Sequence, residues 1–300
     1  MEIFTTFRLL FISTLIFTIG CKSQESLIVA DGAGMRLVSD GFEFTEGPAA
    51  DKEGNVYFTD QPNDRILKWS VEDNQVSVFM ENAGRANGLY FDNEGNLYAC
   101  ADEKSELWKI DKDKTVTVLV SEFRGNKLNG PNDLWIDAKG GIYITDPYYE
   151  RSYRNYEGQP MDEQRVYYLS PNREKLTVAT ADLVKPNGII GTPDGKNLYV
   201  ADIGDNKTWS YEIAEDGSLS NKTLFTEMGS DGMTIDNWGN LYLTGNGVTV
   251  LNPKGKQILH IPVDKDWTAN VAFGGKDNQT LFITAMDAVF SLEMKVRGVR

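Results

Sequence analysis

Histidine is almost absent from this chain of 300 residues: His260 stands alone, and the cysteines are Cys21 and Cys100. A nucleophilic triad needs an imidazole beside its nucleophile. Any such site would have to use His260, in the run Gln257-Ile258-Leu259-His260-Ile261-Pro262-Val263, which alternates like an outer strand. Hydrolytic sites built on paired imidazoles are excluded outright. Basic residues are also in deficit, with 30 Lys and Arg against 44 Asp and Glu and a formal net charge of -14. That balance argues against binding a nucleic-acid backbone, which depends on clustered cations. It fits a protein that holds a cation or one that simply stays dissolved. No glycine-rich phosphate loop follows a strand and opens a helix. Past the first twenty residues, no apolar run approaches the roughly 20 residues of a spanning helix, and no segment reads as a helix.

Those first twenty residues are a different material. Arg8 precedes the apolar run Leu9 to Gly20, and Cys21 follows directly. This pattern predicts an export signal over residues 1–20, with Cys21 as a lipidation site of the bacterial lipoprotein kind. The protein would then be exported, periplasmic or tethered to the outer membrane, and would meet the membrane through that lipid alone. With Cys21 acylated, Cys100 has no partner for an intrachain disulfide. Its place after Tyr98 and Ala99 in an apolar strand reads as a buried, inert thiol. Residues 21–34 read as a polar tether.

What the chain does have is a repeat. Glu46, Asn87, Asn132, Asn187, Asp231 and Asn270 each open a short strand. Five residues after each stand Asp51, Asp92, Asp137, Thr192, Asp236 and Gly275, at Gly- or Asn-containing turns. A second strand then carries Tyr57, Tyr98, Tyr143, Tyr199, Tyr242 or Phe282. The aromatics recur about 40 to 56 residues apart, the period of a propeller blade rather than of a helical solenoid. The fold expected is therefore all-β, one six-bladed β-propeller over residues 35–300. A strand within Met35 to Phe44 is expected to complete the last blade beside Ala288 to Leu292. A long insertion, Pro147 to Gln164, interrupts blade three.

In a propeller the innermost strands line the central channel, so the six opening residues form a ring. All six are Glu, Asp or Asn, with no Lys, Arg or apolar group among them. Carboxylates gathered in a narrow channel repel one another unless a hard cation bound by oxygen neutralises them. Calcium fits best; magnesium, manganese or zinc could fill the same cage, although zinc usually asks for His or Cys. The competing reading is that these residues only make turns, since Asn87-Gly88, Asn187-Gly188 and Asp231-Gly232 are common turn dipeptides.

Glu46-Gly47-Pro48, Asn132-Asp133, Pro186-Asn187-Gly188 and Ser230-Asp231-Gly232-Met233, in that order and about one blade apart, resemble the gluconolactonase and senescence-marker-protein (regucalcin-like) family. Ile144-Thr145-Asp146-Pro147 with Tyr148 is similar to its bacterial gluconolactonase branch. The resemblance implies a six-bladed propeller with one catalytic divalent metal in the channel, hydrolysing sugar lactones. By position it makes Glu46, Asn187 and Asp231 metal ligands and gives Asn132 a contact to metal or substrate. The insertion after Tyr148 departs from that branch, which puts the pocket rim and the choice of substrate in question.

A metal on the carbonyl of a ring ester would act as a Lewis acid, and Asp231 is the candidate general base for the attacking water. Asn132 and Asn87 are candidates for substrate contact in the channel, with Tyr148, Tyr149, Arg151 and Arg154 on the insertion. Two other readings remain: a non-catalytic, lipid-tethered propeller that binds a sugar or a partner across its channel mouth, and a phosphoester hydrolase on the same scaffold.

Overall fold

Each repeat becomes one four-stranded antiparallel sheet in the computed structural model, which describes residues 25–154 and 158–299. The expected export signal and Cys21 lie outside the described residues. Blade one runs outward through Thr45–Ala50, Val56–Asp60, Arg65–Trp69 and Val76–Glu81. Blade two begins with Ala86–Phe91, blade three with Leu134–Ile136, blade four with Pro186–Gly191 and blade five with Met233–Ile235. Blade six is built from Asn270–Gly274, Thr280–Ala285 and Ala288–Glu293, and Arg36–Asp40 closes it by pairing with Ala288–Glu293. Joining both ends of the chain in one sheet removes the open seam that a linear array of blades would leave.

Burial follows position in the blade. The second strands Val56–Asp60, Leu97–Ala101 and Ile142–Asp146 are buried at every residue, because neighbouring blades cover both faces. The outer strand Val76–Glu81 has no fully buried residue. Aromatics fill the gaps between blades: Phe282 of blade six lies 5.6 Å from both Phe58 and Trp69 of blade one, ring centre to ring centre.

The acids that open the turns hold them shut. In the first blade Asp51 Oδ1 accepts from Asn55 N at 2.9 Å and Oδ2 from Asn55 Nδ2 at 2.8 Å. The same pair of bonds recurs at Asp92 with Asn96 and at Asp236 with Asn240. The repeated tyrosine joins in, since Tyr98 and Tyr242 donate their hydroxyls to Asp92 and Asp236. Asx turns of this kind satisfy backbone donors that the ladder leaves over.

Three features differ from expectation. Glu25–Ile28 forms one helical turn, Ile28 is buried against blades five and six, and Val29 bridges Met294. Part of the stretch read as a tether is thus docked, because Ile28 is an apolar side chain with a core to enter. Gln61–Asn63 and Asp102–Lys104 are short 3-10 turns after the second strands of blades one and two. A small hairpin, Glu122–Phe123 with Asn126–Lys127, stands between blades two and three. Among the described residues no helix is long and apolar enough to cross a membrane.

Candidate active site

The six opening residues do meet at one end of the channel. Glu46, Asn87, Asn132, Asn187 and Asn270 are buried there, and Asp231 is half-buried. Threonines on the second strands fasten three of these segments to their own blades: Thr145 Oγ1 accepts from Asp133 N, Thr244 Oγ1 from Gly232 N and Thr284 Oγ1 from Asn270 N. Register irregularities in blades one, two and four fall directly after Glu46, after Ala86 and after Pro186. Bulges of this kind re-aim a side chain, here into the channel.

The glycines that follow the opening residues are not turn glycines. A Cβ on Gly88 would lie 2.6 Å from the carbonyl oxygen of Asn132, and one on Gly188 would lie 2.8 Å from that of Asp231. At Gly47 it would collide with the Asn87 carbonyl, and at Gly232 with the Asn270 side chain. Each glycine marks where the next blade's opening residue comes against it. Gly88 N uses that closeness to donate to Asn132 O at 2.7 Å, and Asn87 Nδ2 reaches the same oxygen at 3.3 Å. The turn-dipeptide reading of these motifs fails for this reason: the chain is tightening a ring, not reversing direction.

Two bonded groups make up the site. Asn187 Nδ2 donates to Asp231 Oδ1 and to the Tyr149 hydroxyl, both at 2.8 Å, and Trp267 Nε1 donates to Asp231 Oδ2 at 2.6 Å. Glu46 Oε2 accepts from Gly47 N at 2.7 Å and from Asn270 Nδ2 at 3.1 Å. With both amide hydrogens of Asn187 spent, its Oδ1 must be an acceptor. That oxygen is buried without a partner, and so is Oδ1 of Asn132.

The electrostatics are correspondingly tense. Burial, then the charge of Asp231, pushes the Glu46 carboxyl well above its ordinary range, against the Gly47 N–H and with a further push from Asp133. Burial raises Asp231 to about 6, opposed by its bonds from Trp267 and Asn187 and by the Arg151 charge. Burial likewise raises Asp133 to about 7, opposed by the Leu134 N–H and Asn270. Buried polar oxygens without donors cost free energy, and mutually repelling carboxylates add to that cost. A hard divalent cation relieves both, so the donor set fits one. Among the described residues no trio of carboxylate, imidazole or thiolate groups converges; a cation would rest on Glu46 and Asp231 with the amide oxygens of Asn132 and Asn187.

Further along the strands the channel is lined by apolar and polar residues together, Asp51, Asp92 and Asp137 among them. Leu89, Leu134, Ile189, Met233 and Val271 line a cavity of about 240 Å³ reached by Asp133 and Asn270.

A family model described as SMP-30/Gluconolactonase/LRE-like region matches residues 44–287. The chain belongs to this family. Among curated members, it is 27% identical to the gluconolactonase of Zymomonas mobilis over 88% of this chain and 82% of that protein. It is 26% identical to the diisopropyl-fluorophosphatase of Loligo vulgaris over 87% of this chain and 92% of that protein. A solved gluconolactonase from Xanthomonas campestris superposes with a TM-score of 0.83 at 27% identity, covering 90% of this chain and 91% of that one.

The SMP-30/gluconolactonase motifs quoted from the sequence supply the inner ring, but the rim is set differently from expectation. Tyr148 turns its hydroxyl to the exposed Glu150; the neighbouring Tyr149 is the residue bonded to Asn187. Arg151 lies with its guanidinium 5.1 Å from the Tyr149 ring centre and its Nε 3.2 Å from Asp102 Oδ2. Arg154 is buried against Asp102 and so anchors the insertion rather than facing the channel. Asn87 braces the ring through the Asn132 carbonyl. Cys100 is buried, with burial pushing its thiol up, as befits an inert core residue. His260 is exposed on the outer strand Gln257–Ile261, near Thr249.

Three residues of this family member's site escaped sequence reading. Trp267 lies outside the repeat register, so periodicity could not find it. Asp102 works through the insertion, at a distance no motif encodes. Asp133 did leave a signal: it occupies the place held by glycine after Glu46, Asn87, Asn187 and Asp231, and so marks a third carboxylate.

Proposed function

We propose that this protein is a lactone hydrolase that opens sugar lactones, with a divalent cation at Glu46, Asn132, Asn187 and Asp231. The observation that carries the reading is the pair of buried, unpartnered amide oxygens, Asn132 Oδ1 and Asn187 Oδ1, in the same ring of opening residues as Glu46 and Asp231, with Asn187 bonded to Asp231. When bound, the cation supplies Lewis-acid polarisation of the ester carbonyl. Calcium is the favoured ion, because every donor is a hard oxygen.

The chain's own groups account for the proton. Asp231 accepts one hydrogen of the attacking water as the water oxygen bonds to the carbonyl carbon, and the ring C–O bond then breaks. The same proton passes to the leaving alkoxide, giving the open hydroxy acid. A carboxylate held against the ester can take that proton and return it. Trp267 and Asn187 hold its two oxygens in place. Asn132 and Tyr149 are placed to orient the substrate, and Arg151 to face it from the rim.

The test is proton release from δ-gluconolactone by the purified protein, before and after chelator treatment. A rate equal to the uncatalysed one in both conditions would reject the reading. The Loligo vulgaris relative favours a second chemistry on the same site, in which a phosphoryl oxygen replaces the carbonyl; diisopropyl fluorophosphate assayed in parallel decides between them. Export and acylation of Cys21 are proposed from the leader alone, and mass spectrometry of the protein isolated from membranes checks them.

A further inference from the structure

Two cations, Arg151 and Lys185, flank Tyr149, and one of them shares its carboxylate partner with a second guanidinium. Asp102 is a single buried carboxylate, yet it serves two guanidiniums: Arg154 pairs with Oδ1, and Arg151 Nε lies 3.2 Å from Oδ2. That same Oδ2 also takes the Tyr153 hydroxyl and Gln61 Nε2, so Asp102 has little left to offer. Lys185 makes no ion pair among the described residues; its Nζ rests 4.5 Å from the ring centre of Tyr149. Arg151 covers the same ring at 5.1 Å, and the Tyr149 hydroxyl is bonded to Asn187. Two cations therefore converge on one tyrosine whose far end touches the candidate site. They do so in a chain of net charge -14, whose overall field repels anions.

We propose that Arg151 and Lys185 bind an oxyanion carried by the substrate, a carboxylate or a phosphate, so that the enzyme prefers anionic sugar lactones to neutral ones. This deepens the lactonase reading and rests on it. The geometry assigns the ester to the Glu46 and Asp231 end and the anionic end to the rim beyond Tyr149. A planar guanidinium suits a two-oxygen contact, and an ammonium adds a mobile point charge. The cation–π contacts hold both groups in place before substrate arrives, so less side-chain freedom is lost on binding. Charge-assisted contacts of this kind correspond to roughly 10- to 100-fold in specificity.

The experiment compares kcat/KM for D-glucaro-1,4-lactone, 6-phosphogluconolactone and δ-gluconolactone with divalent cation present. The wild type should favour one or both anionic lactones at least about tenfold, and Lys185→Met and Arg151→Met should each cut that ratio about tenfold. The arm that wins says whether the anion is carboxylate or phosphate. Lys185→Met keeps the test valid if the Arg151 variant loosens the insertion. A wild-type ratio of one or less, or ratios unchanged in both variants, overturns the proposal and leaves the two cations as screens for Glu46 and Asp231. If no lactone turns over, the lactonase reading falls, and calorimetry decides the anion site by itself. Tighter binding of glucarate or 6-phosphogluconate than of uncharged glucitol, lost in Lys185→Met, supports it; equal binding overturns it.

Discussion

Trp267 donates its indole N–H to Oδ2 of Asp231 at 2.6 Å, although the two residues stand 36 positions apart and Trp267 belongs to no repeated motif. That bond favours the ionised carboxylate and works against the burial that raises it. Trp267→Phe keeps the ring and removes the donor. The acid limb of the kcat/KM profile should move to higher pH, and the maximal rate should fall about tenfold as Asp231 loses its orientation. A rate loss with an unmoved limb would assign the indole to substrate packing instead.

Asp231→Asn tests the base, with bound calcium measured in parallel because the same carboxylate is a proposed ligand. The amide retains shape and can still face Asn187 or Trp267 through its oxygen, but it cannot accept a proton. Lactone turnover should drop about 10²- to 10⁴-fold, with an unchanged far-ultraviolet circular dichroism spectrum. Turnover near the wild-type level would move the base to another carboxylate, of which Asp133 is nearest in kind.

The chelator-treated protein should lose stability as pH rises. Glu46, Asp133 and Asp231 all have folded-state values raised above those of free carboxylates, Asp231 to about 6 and Asp133 to about 7. Between about pH 4 and pH 7 the native state therefore binds more protons than the unfolded chain. Stability from these groups is complete below about pH 4 and is lost through pH 6 to 7. The Tm without cation should fall between pH 5 and pH 8. Added calcium should raise it more at pH 8 than at pH 5, because the ion competes with those protons. Equal calcium effects at both pH values would count against these carboxylates as ligands.

Gly47→Ala tests the tightness of the ring. Its new methyl group would be driven into the Asn87 carbonyl from a left-handed backbone position, with φ at 50°. Gly140→Ala shares the positive φ, at 89°, but meets nothing within 4 Å, so in urea titration Gly47→Ala should be destabilised by about 1 to 3 kcal/mol more than Gly140→Ala.

Blade count, closure and the inner ring were legible in the sequence because they repeat. A residue at one register recurs at one place in every blade, so spacing alone carries Glu46, Asn87, Asn132, Asn187, Asp231 and Asn270 to the axis. The terminal strand was legible for a related reason, since an incomplete last blade calls for Arg36–Asp40. The glycines were visible but misleading: Asn187-Gly188 read singly is a turn, and only the neighbouring blade's carbonyl explains it.

By itself, then, the chain's own pattern determined six sheets around an axle and the oxygen-bearing residues at its centre, because periodicity is a local property that survives projection onto a line. Tertiary structure decided the rest. Which amide oxygens are left without donors, which of Tyr148 and Tyr149 reaches Asn187, and how Asp102 ties down Arg151 and Arg154 all depend on contacts between residues tens of positions apart. Most of those contacts involve an insertion that occurs once, and a feature that occurs once has no period from which to be read.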